Sequence, residues 1–132
     1  MAGERDLTAL LRGIRPELQE GTFVFCTIVP GEAIPTASSP LLVFREREGT
    51  TLVMRREEAE RARLRYAFVS RLLTLTVHSS LDAVGLLAAV TTRLARAGIS
   101  VNAVSAFYHD HLFVSEDRAE EALGLLQGIS VP

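Results

Sequence analysis

Residues 72–104 read LLTLTVHSSLDAVGLLAAVTTRLARAGISVNAV, and two periods within this stretch decide the fold. From Leu72 to Val77 the period is two: Leu73, Leu75 and Val77 share one face, Thr74 and Thr76 the other, as in a half-buried strand. Further on the period becomes helical. Ala83, Leu86, Leu87, Val90, Leu94 and Ala97 form one stripe, with Asp82, Arg93 and Arg96 off it. Ser79-Ser80-Leu81-Asp82 has capping-box spacing, so the helix is expected to start with Ser79 as its cap. Gly98 supplies the left-handed stop.

Downstream, Ile99–Phe107 reads as a strand and residues 111–114 as its hairpin partner across Tyr108-His109-Asp110. Ser115 can cap a last helix with Ala119, Ala122, Leu123 and Leu126 on its stripe, and Ile129–Val131 is a stub of a final strand. Strand, helix, strand, strand, helix and stub make a ferredoxin-like split βαβ unit. Its expected core is Leu73, Leu75, Val77, Leu86, Leu87, Val90, Leu94, Leu123 and Leu126.

Upstream, Leu7, Leu10, Leu11 and Ile14 mark a short helix that Asp6 caps and Pro16 ends. Residues 22–29 read as a strand, and 30–40, with Pro30, Gly31, Pro35 and Pro40, as a loop. A strand pair at 41–46 and 50–54, helix formers at 55–63 and a strand from Tyr66 complete the half. This is the same order with its first helix replaced by the loop, and the helix at 6–14 is free to dock in that place. The expectation is an α+β chain of two ferredoxin-like, βαββαβ-type domains, 1–68 and 69–132, the first lacking its first helix.

With these residues in hand, the chain resembles the ACT domain. The resemblance rests on LTVHSSLDAVGLLA at 75–88, Ala97-Gly98-Ile99-Ser100-Val101-Asn102 and Tyr108-His109-Asp110-His111-Leu112-Phe113-Val114, with Gly-Thr-Phe-Val-Phe-Cys-Thr at 21–27 in the first half. The whole chain looks like small standalone bacterial proteins of two ACT-like domains. The resemblance implies binding of amino acids or other small effectors at the strand-to-helix turn, and a class of behaviour more than a particular ligand.

Composition narrows the function further. The chain has 132 residues, 48% hydrophobic and 23% charged, so it can bury a core. Its fourteen basic residues are all arginine, against sixteen acids. The densest arginine region, Arg55–Arg65, is interleaved with Glu57, Glu58 and Glu60, which speaks against a nucleic-acid footprint. The run Ala83–Val90 is far short of the ~20 apolar residues that span a bilayer, and the first residues lack the pattern of a secretory signal. A cytoplasmic protein is expected. Cys26, inside Phe23-Val24-Phe25-Cys26-Thr27-Ile28, reads as a small buried hydrophobe. Phosphate-loop and nucleophile-elbow patterns are missing, so no enzyme and no cofactor are expected.

The candidate ligand site is the turn from Val77 to Gly85. Unpaired N–H groups at a helix start attract a carboxylate without a cationic side chain. His78, Ser79 and Ser80 would line the mouth, Asp82 would meet an ammonium, Gly85 would allow close approach, and Asn102 on the adjoining strand would offer an amide. Ser79 and Asp82 are equally explained as caps. His109-Asp110-His111 fits either a polar hairpin or two imidazoles facing a metal. The expected function is therefore non-catalytic sensing of a small molecule, an amino acid above others, by at least a dimer that signals to a protein partner. A structural oligomerisation module and a metal-binding protein are the alternatives.

Overall fold

The computed structural model describes residues 3–129. In chain order its elements are α1 (Leu7–Gly13), β1 (Pro16–Leu18), β2 (Phe23–Ile28), β3 (Leu42–Arg45), β4 (Thr50–Arg55), α2 (Arg56–Arg61), β5 (Tyr66–Leu75), α3 (Leu86–Arg96), β6 (Val101–Ser105), β7 (Asp110–Ser115) and, after a 3₁₀ turn at Glu116–Arg118, α4 (Ala119–Ile129). Packing divides the chain into Gly21–Ser70 and a second unit that joins the segment ending at Glu20 to everything from Arg71. The strand β5 gives its first half to one unit and its second half to the other.

In Gly21–Ser70 the strands run in the order β3-β4-β2-β5. Along β2, Phe23 lies opposite Arg55 and Ile28 opposite Thr50. On its other side Cys26 faces Tyr66 and Phe23 faces Ser70, and β5 takes in an extra residue where Phe68 adopts φ +59°. Val24, Cys26, Ile28, Leu52, Met54 and Ala59 of α2 form its core. Burial pushes the Cys26 thiol up, as suits a side chain that packs and does not react. Between β2 and β3 the chain has no regular element, so the expected loop stands where a helix would be.

In the other unit the order is β1-β5-β7-β6. Pro16 pairs with Leu75 and Leu18 with Leu73, antiparallel, while β6 and β7 form a hairpin from Val101 opposite Val114 to Ser105 opposite Asp110. Both units thus place the second, third, first and fourth strands of the pattern side by side. In this unit the fourth place is filled by β1, from the N-terminal segment. Leu73, Leu75, Leu86, Val90, Leu94 and Leu126 are buried together, and Val77, Leu87 and Leu123 pack against them, so the expected core is observed.

Four features differ from the sequence expectations. Helix α1, which Asp6 does cap through a 2.9 Å bond from the Ala9 amide, buries Leu10 and Ile14 in the core of α3 and α4. It does not take the place of the absent first-half helix, because its apolar stripe is used here. Pro16 ends α1 and also opens a strand. The packing units consequently cut the chain differently from the consecutive segments 1–68 and 69–132. Finally, α3 begins at Leu86, not near Asp82, with Gly85 as its N-cap at φ +103°. Ser79 is no cap: it is buried, and its hydroxyl is turned to another partner. Of the stub at 129–131, Ile129 closes α4 and the remainder lies outside the described residues.

Because Leu10 is fully buried in the main core, Leu10→Ala should cost about 2–5 kcal/mol, as a truncation in the centre of α3 would. Urea unfolding measures it. A loss within ~0.5 kcal/mol would mark α1 as a peripheral helix.

Candidate functional site

The site is built on the loop of residues 76–85, between β5 and α3, in the unit that contains the N-terminal segment. Thr76 anchors its start: its hydroxyl donates to the Arg15 carbonyl at 2.6 Å. At its end, a Cβ on Gly85 would sit 3.1 Å from Leu7 Cδ2. The space beside Gly85 is therefore filled by α1, and its glycine serves a left-handed bend and close packing. The N–H groups at the start of α3 come after Gly85, several residues beyond the turn that sequence spacing had joined to the helix.

Ser79 lies at the centre of a buried clasp. Its hydroxyl donates to Asp110 Oδ2 at 3.3 Å, and the Ser105 hydroxyl donates to Asp110 Oδ1. Asp110 is 7% exposed, so these hydroxyls give a largely desolvated carboxylate the donors that water would supply. The clasp ties the loop to the β6–β7 hairpin. Above it, the rings of His78 and Tyr108 lie 5.3 Å apart, and those of Tyr108 and Phe107 5.0 Å apart. Phe107 and Tyr108 are more than half exposed and form an aromatic lip.

Ser80 and Asp82 stand at the open side. The Ser80 hydroxyl donates to Asp82 Oδ1, and Arg5 Nε lies 3.5 Å from the same oxygen. That hydrogen bond first, and the Arg5 charge second, hold the Asp82 carboxyl below the usual carboxylate range. A strand-like contact runs along the loop backbone: the Glu4 N–H donates to the His78 carbonyl at 2.9 Å, and the Ser80 N–H donates to the Glu4 carbonyl at 2.8 Å. Asn102, exposed on β6 opposite Phe113, is three residues from Ser105, or roughly 10 Å of strand from the clasp. The structure thus brings His78, Ser79, Ser80 and Asp82 into one loop, ends that loop at Gly85, and leaves Asn102 apart.

Sequence reasoning placed Asp110 in a turn and passed over Ser105, Phe107 and Tyr108 as site residues. The available signal was parity. Asp110 shares its strand face with Leu112 and Val114, so a carboxylate at that position must be buried. His111 points to the opposite face, where its Nδ1 lies 3.0 Å from Thr74 Oγ1. The rings of His109 and His111 are 6.3 Å apart, and no third metal-ligating side chain joins them among the described residues.

Burial, and then the neighbouring His109, push the His111 pKa below its ordinary value, with Asp110 acting weakly the other way. The folded protein therefore holds His111 neutral where the unfolded chain has begun to bind a proton. Stability is present above the ordinary histidine value of about 6.5 and is lost as pH falls through the lowered folded value. Thermal midpoints taken between about pH 7.5 and pH 5 should fall less steeply for His111→Gln than for wild type. Parallel slopes would remove His111 from the pH response.

Known families and folds match the chain along most of its length. Two models of the ACT domain match, one over residues 2–71 and the other over 68–128. No curated protein matches. Among solved structures, a Vibrio cholerae protein of unknown function, described as a possible transport protein, is 44% identical over 94% of this chain and 95% of its own, with a TM-score of 0.85. An Agrobacterium tumefaciens protein superposes with a TM-score of 0.76 at 21% identity, covering 89% of each chain. The regulatory subunit of aspartate kinase from Thermus flavus shares the fold at 9% identity, with a TM-score of 0.63 over 98% of this chain and 99% of its own. Two strand orders of one pattern and two adjoining family matches agree: the chain belongs to the ACT domain family.

Proposed function

We propose that this protein is a non-catalytic regulator that binds a small molecule, an α-amino acid, at the turn formed by His78, Ser79, Ser80 and Asp82. The observation that carries the reading is the pairing, on one turn, of a backbone donor at Ser80 with a carboxylate at Asp82. An α-amino acid has the matching pair of groups, a carboxylate to accept and an ammonium to donate. The clasp of Ser79, Asp110 and Ser105 holds the turn against the hairpin before any ligand arrives, so little ordering entropy is lost on binding. The lip of His78, Phe107 and Tyr108 offers apolar cover for a side chain.

Family membership supports a regulatory role, and the fold shared with aspartate kinase regulatory subunits is one used in regulation. No helix of the described residues is long and apolar enough to cross a membrane; a cytoplasmic location is part of the proposed reading. For partners we propose a second copy of the chain and a protein that receives the signal. The edge strand β6, with Val-Asn-Ala-Val-Ser, has neither a charge nor a proline to discourage pairing. Signalling then results from differential affinity: a ligand favours whichever arrangement of the protein binds it better.

Thermal denaturation with the twenty amino acids tests the reading. A true ligand at 100 times its dissociation constant should stabilise the fold by ~2.7 kcal/mol. Calorimetry with that amino acid should then show weaker binding to Asp82→Asn, whose side chain still accepts hydrogen bonds but carries no charge. A panel without a shift would overturn the amino-acid reading, and equal affinities would remove Asp82 from the site.

A further inference from the structure

The two groups assigned to a ligand are not idle. The Ser80 N–H is bonded to the Glu4 carbonyl, and the Asp82 carboxylate is bridged by the Arg5 guanidinium. Residues Glu4 and Arg5 therefore present an acceptor oxygen and a cation to the turn, in the roles that the carboxylate and the ammonium of an α-amino acid would fill. Gly3 makes the approach possible. A Cβ there would lie 2.6 Å from the Ser79 carbonyl carbon and 2.7 Å from the His78 carbonyl oxygen, both backbone atoms held by the buried clasp next to them. Only a residue without a side chain brings the segment this near.

We propose that Gly3-Glu4-Arg5 is an internal pseudo-ligand, a strap that closes the His78–Asp82 turn by filling its donor and its acceptor. The inference rests on the assignment of that turn as the ligand site, and it makes binding a displacement. A ligand must release two backbone hydrogen bonds, Glu4 N–H to His78 and Ser80 N–H to Glu4, and one ion pair. The ion pair is the weaker latch, since both side chains are about two-thirds exposed, with relative areas of 69% and 67%. The backbone pair and the close approach at Gly3 do most of the holding. Displacement also links the turn to α1, whose cap Asp6 directly follows the strap, so that a bound ligand changes the restraint on the helix that buries Leu10.

Hydrogen exchange read by nuclear magnetic resonance on Gly3→Val tests the strap without any ligand. Expelling Gly3 should speed exchange at the Ser80 amide by about tenfold or more, while Leu112 and Val114 in β7 keep their protection. Unchanged protection at Ser80 would overturn the proposal. Should Gly3→Val loosen β7 as well, Glu4→Pro, which removes the N–H bonded to His78 along with the Glu4 carboxylate that accepts from the Arg5 and Asp6 amides, gives a second reading at Ser80. Any amino acid that stabilises the wild type should bind the released variant more tightly, and equal affinity would overturn the competition. A silent amino-acid panel beside a freed Ser80 amide would overturn the ligand assignment and leave the closure standing.

Discussion

Three residue pairs, Pro16 with Leu75, Glu17 with Thr74 and Leu18 with Leu73, dictate most of the architecture of the larger unit. A βαββαβ unit needs a fourth strand beside its first, or the first strand would expose a full ladder of donors and acceptors. Here that strand is supplied by β1, from before the first strand of the unit. The described residues before β1, from Gly3 through α1, are then carried to the same side. Helix α1 has its stripe pressed into the core at Leu10 and Ile14, and the residues before it come to lie along the loop that leaves β5.

The strand and helix patterns that specify this unit are local, and they were legible for that reason. Alternation from Leu72 to Val77 and the helical stripe from Leu86 to Leu94 depend on neighbours within a few residues. The main core takes Leu73, Leu75, Leu86, Val90 and Leu94 as expected. Leu72 and Thr74 on the other strand face are buried too, so the strand is covered on both sides and not half-buried. The placement of α1 was not legible. Its stripe states that it must bury one face, but not against which of two similar cores, and the short strand Pro16–Leu18 carries too few residues to show a period. A three-residue strand is fixed by the ladder it joins.

The start of α3 shows how two readings of one motif compete. Ser79-Ser80-Leu81-Asp82 satisfies the spacing of a capping box, yet the hydroxyl of Ser79 goes to Asp110, thirty-one residues away. A cap stabilises by roughly 1 kcal/mol, whereas a buried carboxylate deprived of donors costs more than that. The tertiary demand wins, and the helix gives up its first turn to a bend that ends at Gly85. The residues of the candidate turn were legible as a cluster, since His78, Ser79, Ser80 and Asp82 are near neighbours in sequence. Their roles were not, because roles depend on Asp110, Ser105 and Glu4, which only folding brings near.

A site of this kind needs a turn and a helix after the first strand of the pattern, and one unit alone has both. In each unit that strand lies beside the third and fourth, so the backbone frame is equivalent. After β5 the chain turns, meets the clasp and enters an eleven-residue helix. After β2 it enters a loop that is pinned elsewhere: the Ser39 amide donates to Glu58 Oε1 at 2.7 Å, and the Leu41 amide to the Val53 carbonyl, also at 2.7 Å. Pro30, Pro35 and Pro40 remove three of the backbone donors that such a turn would use. Without a helix to fix the direction of the remaining N–H groups, and with those of Ser39 and Leu41 already committed, Gly21–Ser70 has the frame of the site but not its chemistry. On the proposed reading, a ligand at His78–Asp82 therefore binds once per chain.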